Sequence, residues 1–246
     1  MSRYIVDTHI HTSDVSPCGH IPAADVARLY ADAGYDAIAI TDHYHSFFFK
    51  KCEGPWPRRL DQYLAGYRAA REAGEALGIA VILGIELKFI GTPNDYLVFG
   101  LDEEFLLEYP ALNERSPAEV RRLVDSIGGL ISVAHPFRPN MGPVDTGFVH
   151  AAEVMNGHPN HPSENPTALS YAREHDLLMT GGSDAHFPEG VATVHMAFPR
   201  EVRDGLGLAA AVREGDCEIA GPDGFLLRIK AGEMVEASAP ADGDSL

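Results

Sequence analysis

Short apolar runs rich in β-branched residues alternate along the chain with amphipathic stretches. The first run, YIVDTHIHT over 4–12, predicts a strand. On it Asp7, His9 and His11, spaced by two, face the same way. Further strands are predicted over 36–43, 80–87, 96–101, 128–134, 152–155, 177–181, 217–220 and 225–229. Helical patterns fall between them, over 22–34, 60–77, 116–126, 163–175 and 206–214. Pro22 suits the first helical position and Gly34 a C-terminal cap. Ser116, Pro117 and Glu119 read as a capping box.

About seven strands alternating with helices predict a parallel sheet with crossover helices, either a barrel or a doubly wound sheet. Polar clusters separate the two. They follow the C-terminal ends of several different strands, and a closed barrel brings such ends to one rim. The expected fold is therefore an α/β barrel. No solenoid-type repeat or long linker divides the 246 residues, so one catalytic domain over 1–246 is expected, with a short acidic tail from about 237.

Composition narrows the chemistry. A formal net charge of −17 disfavours nucleic acid and anionic membranes, which are bound chiefly through Lys and Arg. No run approaches the ~18 apolar residues of a membrane span, and no signal-peptide pattern opens the chain. Cys18, Cys52 and Cys217 are odd in number and widely spaced, which suits a reduced cytoplasm and a cytoplasmic location.

The polar clusters are Asp7-x-His9-x-His11, His20, Asp42-His43, Glu86, His135-Pro136 and Asp184-x-His186. Five of these imidazoles end strands, and with the carboxylates they exceed the three or four ligands of one zinc. Two to three divalent ions are expected. Mixed nitrogen and oxygen donors suit Zn, Mn or Fe(II) without choosing among them.

The motifs DTHIHT, ITDH, GIE, AHP and GSDAH, in this order over roughly residues 1–190, resemble the PHP (polymerase and histidinol phosphatase) family of metal-dependent phosphoesterases. The resemblance implies a distorted (β/α)7 barrel with the site at the C-terminal ends of the strands, and a cluster of up to three metals. It implies His9, His11 and Asp184 as ligands of the first metal and Glu86 as the carboxylate bridging first and second. It implies His135 on the second metal, and His43 and His186 on the third. The loop Ser16-Pro17-Cys18-Gly19-His20 resembles a subgroup with Asp after Ser-Pro-Cys-Gly, so His20 stands at a ligand position. Many members carry a further histidine for the second metal after the bridging Glu. This chain has Asn94-Asp95-Tyr96 there, and Asp95 is either a replacement ligand or a turn residue.

The expected reaction is hydrolysis of a phosphate ester of a small molecule, a sugar, amino-alcohol or nucleoside phosphate, by a hydroxide bridging two metals about 3.5–4 Å apart. Asp184 belongs to the catalytic group, and His158 is a candidate acid outside the ligand set. Arg138 and Lys88 are candidate phosphate-binding residues near strand ends. Glu153 and Asn156 are candidates to orient ligands, and Asp7 to orient a ligating histidine. Phe47-Phe48-Phe49 reads as a lid, a stacking wall or a packing loop. Three rival readings remain: a small cyclic phosphodiester hydrolase, a metal-dependent amidohydrolase, and a metal-stabilised binding scaffold without catalysis.

Overall fold

The apolar runs do form strands, and the amphipathic stretches between them form helices, in a computed structural model that describes residues 3–142 and 144–238. The strands are β1 (Tyr4–Ile10), β2 (Ala37–Ile40), β3 (His43–Tyr44), β4 (Ala80–Leu87), β5 (Tyr96–Phe99) and β6 (Leu130–Val133). They continue as β7 (Ala151–Asn156), β8 (Leu178–Gly182), β9 (His195–Phe198), β10 (Cys217–Ala220), β11 (Leu226–Lys230) and β12 (Glu233–Ser238). The helices are α1 (Ala23–Asp32), α2 (Ser46–Phe49), α3 (Trp56–Tyr63), α4 (Ala65–Leu77), α5 (Glu103–Glu108), α6 (Pro117–Ser126), α7 (Asn165–Glu174) and α8 (Gly205–Glu214).

The chain does not form the expected (β/α)7 barrel. The strands make one curled, mixed, open sheet in the order β12-β11-β10-β9-β1-β2-β4-β5-β6-β7-β8, with β3 paired to β4. Two features account for the difference. β5 runs antiparallel to both β4 and β6, which interrupts the parallel succession. The edge of β1 that would close a barrel is shared: Tyr4–Val6 pair antiparallel with β9, which carries β10, β11 and β12 outward. Only a single bridge, Ile10 to Ala185, joins the end of β1 to the residues after β8. The β9 and β12 strands were not expected from the sequence pattern.

Local signals fared unevenly. Ser116 caps α6 by accepting the Glu119 N–H at 3.3 Å, but the Glu119 carboxylate turns to Arg115, so the capping box is half made. Pro22 is the cap itself rather than the first helical residue. The expected helix over 60–77 is two helices, α3 and α4, meeting at Leu64. Gly78 ends α4 at φ 79°, the left-handed conformation glycine adopts without strain. Among the described residues, no helix is long and apolar enough to cross a membrane. Apart from Ala237 and Ser238, which end β12, the expected acidic tail lies outside the described residues.

Buried apolar residues lie on both sides of the sheet. Ile10, Ile38, Ile40 and Val81 pack under α1 and α4, while Val6, Ala39, Ile82 and Ile85 belong to the larger cluster on the other side. This alternation leaves the strand ends to carry polar groups. Where β8 meets β1 the approach is close: a Cβ on Gly182 would lie 2.4 Å from His9 Cβ and 2.8 Å from His9 N. Gly182→Ala is therefore expected to cost about 1–3 kcal/mol by overpacking and to lower the melting temperature by roughly 2–12 °C in a thermal melt.

Candidate metal centre

His9 and His11 project from the end of β1 and are fully buried. Their Nε2 atoms are 3.1 Å apart, and each is 3.4 Å from Asp184 Oδ1. Glu86, near the end of β4, brings Oε1 to 3.4 Å from His9 Nε2 and Oε2 to 3.6 Å from His11 Nε2. Ligand atoms about 2.0–2.1 Å from a tetrahedral ion lie ~3.3–3.4 Å apart, so the spacing fits one cation. The opposite ring nitrogens are engaged. His9 Nδ1 donates to Glu153 Oε1 at 2.9 Å, and His11 Nδ1 donates to Ser16 Oγ at 3.1 Å. Each ring is thereby held in the tautomer whose Nε2 lone pair faces the cluster.

Charge balance points the same way. Burial pulls the His9 imidazole down, but Asp184 and then Glu153 overcome it and hold it well above its ordinary range. Burial and the neighbouring His186 and His43 push His11 well below. Burial opposes ionisation of Asp184 and Glu86, yet His9 for the first and His43 for the second outweigh it and hold both carboxyls well below their usual range.

A second set shares Glu86. His135 Nε2 is 3.1 Å from Glu86 Oε1, and His135 donates its backbone N–H to Glu153 Oε2 at 2.8 Å. His135 and Asp184 have φ of 30° and 50°, sparsely populated for non-glycine residues. Each lies two residues past a strand end, and such strain is commonly held at functional sites. A third set joins His11, His43 and His186. The rings of His11 and His186 stack at 4.2 Å, and His186 Nδ1 donates to the Asp184 carbonyl at 2.9 Å. Cys18 Sγ lies 3.1 Å from His43 Nε2. Burial opposes its ionisation, but hydrogen bonds from His186 and His43 bring the thiol down to about 6.

Glu86 Oε2 and His43 Nδ1 are buried against each other outside hydrogen-bonding geometry, an arrangement that a shared divalent cation would satisfy. The donor set of imidazoles and carboxylates suits a divalent ion, and the groups of potential ligands bear out an expectation of metal binding in general.

The other expected site residues stand around one cavity of about 390 Å³, lined by His20, Asp95, Arg138 and His158 among others. His20 is exposed and stacks on Phe187 at 4.3 Å, and it belongs to none of the close ligand groups among the described residues. Asp95 is paired with Lys88, whose Nζ is 3.0 and 3.1 Å from its two oxygens. Arg138 Nη2 donates to Asp184 Oδ2 at 2.7 Å and to Asn156 Oδ1 at 2.9 Å, while its Nε is buried without a partner. His158 Nδ1 accepts the Asn160 N–H at 3.1 Å, and burial lowers the imidazole to about 4. Asp7 touches no imidazole. Its carboxylate accepts from Tyr30 O–H at 2.7 Å, Ser183 N at 3.0 Å and His9 N at 3.1 Å, so it braces the backbone of His9.

Sequence reasoning named Ser16 and Asp42 without giving them a role, and passed over His45. Ser16 Oγ donates to Asp42 Oδ1 at 2.7 Å while receiving His11, and Asp42 also accepts from Thr12 N at 2.8 Å. These contacts join loops distant in sequence, and no spacing signals them. His45 did carry a signal: His43-Tyr44-His45 repeats the spacing of His9 and His11.

A family model described as PHP-associated matches residues 162–217. No curated protein matches the chain. Among solved structures, the chain is similar to a two-domain protein from Bacteroides vulgatus ATCC 8482 containing a predicted PHP-like metal-dependent phosphoesterase. Identity is 21% and the TM-score 0.63, over 90% of this chain and 66% of that one, so the chain spans about two thirds of that protein's length. It is also similar to PsfC from Pseudomonas syringae PB-5123, at 22% identity and a TM-score of 0.58, over 86% of this chain and 88% of that one. An amidohydrolase from Chromobacterium violaceum, with bound sulfate and no metal, matches at 16% identity and a TM-score of 0.56, over 88% and 98% of the two chains. At these identities the structures show a shared fold. The PHP-associated segment and the ordered histidine and carboxylate motifs of its strand ends both make the chain similar to PHP-family proteins.

Proposed function

We propose that this chain is a metal-dependent phosphoesterase that hydrolyses phosphate esters of small molecules, a sugar, amino-alcohol or nucleoside phosphate. The observation that carries this reading is that Arg138 lies against Asp184, which also faces the tetrahedrally spaced His9 and His11 nitrogens, on the wall of one cavity. A guanidinium beside a cation site suits a phosphoryl group better than an amide carbonyl.

Two to three divalent ions, Zn, Mn or Fe, held by His9, His11, Glu86, His135, Asp184, His43 and His186, would supply Lewis acidity toward water and phosphoryl oxygens. The protein groups do the rest. Glu153 and Ser16 keep the His9 and His11 rings turned so that Nε2 faces inward. Arg138 keeps Nη2 on Asp184, and its remaining guanidinium N–H groups would donate to a phosphoryl oxygen. His158 is neutral near pH 7, and with Nδ1 accepting from Asn160 its proton sits on Nε2, where it hydrogen-bonds the leaving oxygen. Lys88 pairs with Asp95, a residue of the cavity lining, and sets positive charge beside it.

Phosphate release from a panel of sugar, nucleoside and cyclic phosphates, with metal content counted on the same sample, tests the reading. Release that disappears in His9→Ala supports it. A fully metal-loaded protein that releases phosphate from none of the esters overturns it, and turnover of amides by that sample would favour amidohydrolysis instead. Arg138→Lys keeps the charge but loses the fork. It is expected to lower kcat/KM about 10- to 100-fold in steady-state kinetics while metal content stays unchanged.

A further inference from the structure

His45 has no role in the centre described above. It follows His43 by two residues where β3 runs parallel to the end of β4, in register His43 to Glu86 and Tyr44 to Leu87. Alternate side chains of an extended segment point to opposite sides. Tyr44 goes into the core, fully buried against Phe49 and Tyr63. His43 and His45 share the other side, with ring centroids 4.4 Å apart.

His45 Nε2 is buried without a hydrogen-bond partner, and His43 Nδ1 and Glu86 Oε2 are buried against each other outside hydrogen-bonding geometry. The three residues offer ligand atoms within 4.8 Å of one another. Glu86 is only 1% exposed, so its Oε2 meets imidazoles, His43 in contact and His11 at 3.6 Å, rather than bulk water. Asp95 Oδ1 comes to 3.3 Å from His45 Nε2 without hydrogen-bonding geometry, and Lys88 at 3.0 Å already balances that carboxylate. Two imidazoles and a carboxylate are a common donor set for a divalent ion with an open position.

We propose that His45 is a metal ligand, and that His43, His45 and Glu86 together form a metal position beside Asp95. The proposal rests on reading the cavity as a metal centre. A neutral imidazole has one lone pair. His43 serving this position through Nδ1 therefore keeps its proton on Nε2, toward Cys18 Sγ at 3.1 Å, and does not also ligate beside His11 and His186. His45 thus supplies the imidazole that the segment Asn94-Asp95-Tyr96 lacks.

The test is a Co²⁺ titration of the metal-stripped full chain, read by bound-metal count and visible absorption, for wild type, His45→Ala, His45→Gln and His45→Glu. The expected result is that His45→Ala and His45→Gln each lose one equivalent, or weaken one site about 10- to 100-fold, with a changed absorption band. His45→Glu, which keeps a ligating atom, retains the equivalent with a shifted band. If His45→Ala does not fold as judged by its metal-free melt, His45→Gln decides by the same readout. Unchanged count, affinity and spectrum in the alanine or glutamine variant would overturn the proposal while leaving the metal centre standing. A wild-type chain that takes up no Co²⁺ would overturn both.

Discussion

Glu86→Gln is expected to abolish hydrolysis to within about 10³-fold below wild type, equivalent to about 4 kcal/mol of transition-state stabilisation. The change is nearly isosteric, so the end of β4 keeps its packing, but the charge and one ligating oxygen go. Glu86 lies beside four imidazoles of the centre. Its oxygens lie near His9 at 3.4 Å, His11 at 3.6 Å and His135 at 3.1 Å, and one contacts His43 Nδ1. An amide nitrogen cannot ligate, and four imidazoles would face a neutral group. Bound metal should fall by at least one equivalent in the same variant. Wild-type rate together with wild-type metal content would show that Glu86 is not shared between metal positions.

The second large effect is on stability. Stripping metal with a chelator is expected to lower the melting temperature, and restoring Mn²⁺ or Zn²⁺ to raise it. At ~100-fold above the dissociation constant, binding adds about 2.7 kcal/mol, which for a chain of this size is roughly 5–11 °C. The physical reason lies in the buried carboxylates Asp184, Glu86 and Glu153, whose charges have only imidazoles and Arg138 as counterions. The metal-induced rise should shrink as pH falls from ~8 to ~6, because ligation requires the neutral ring and must displace the proton that Asp184 and Glu153 hold on His9. A scanning fluorimetry series across pH, with and without metal, measures this. A melting temperature indifferent to metal at every pH would contradict the metal centre itself.

The candidate ligand groups were legible because strand alternation and strand ends are local properties. His9 and His11 at spacing two, Glu86 at the end of an apolar run, and Asp184 after glycines all announce themselves without tertiary information. The architecture was less legible. Counting strands could not show that β5 turns antiparallel or that β9 takes the edge of β1, because pairing partners are set by contacts between distant segments. His20 and Lys88 illustrate the same limit at the site. Each stands near it in sequence, yet one stacks on Phe187 and the other pairs with Asp95. Conversely Ser16 and Asp42, to which the sequence assigned no role, hold the His11 ring and the chain leading to His43.

The sequence alone determined which chemistry is available: imidazoles and carboxylates at strand ends, an acidic overall charge, and a motif order shared with the PHP family. Tertiary structure alone decided which ring nitrogen each histidine presents, that Asp7 braces backbone rather than a ring, and that Arg138 meets Asp184. Identity and alternation follow from covalent order. Tautomer, ring orientation and ion pairing depend on atoms brought together by folding, such as Glu153 on β7 reaching His9 on β1 at 2.9 Å across 144 residues of chain.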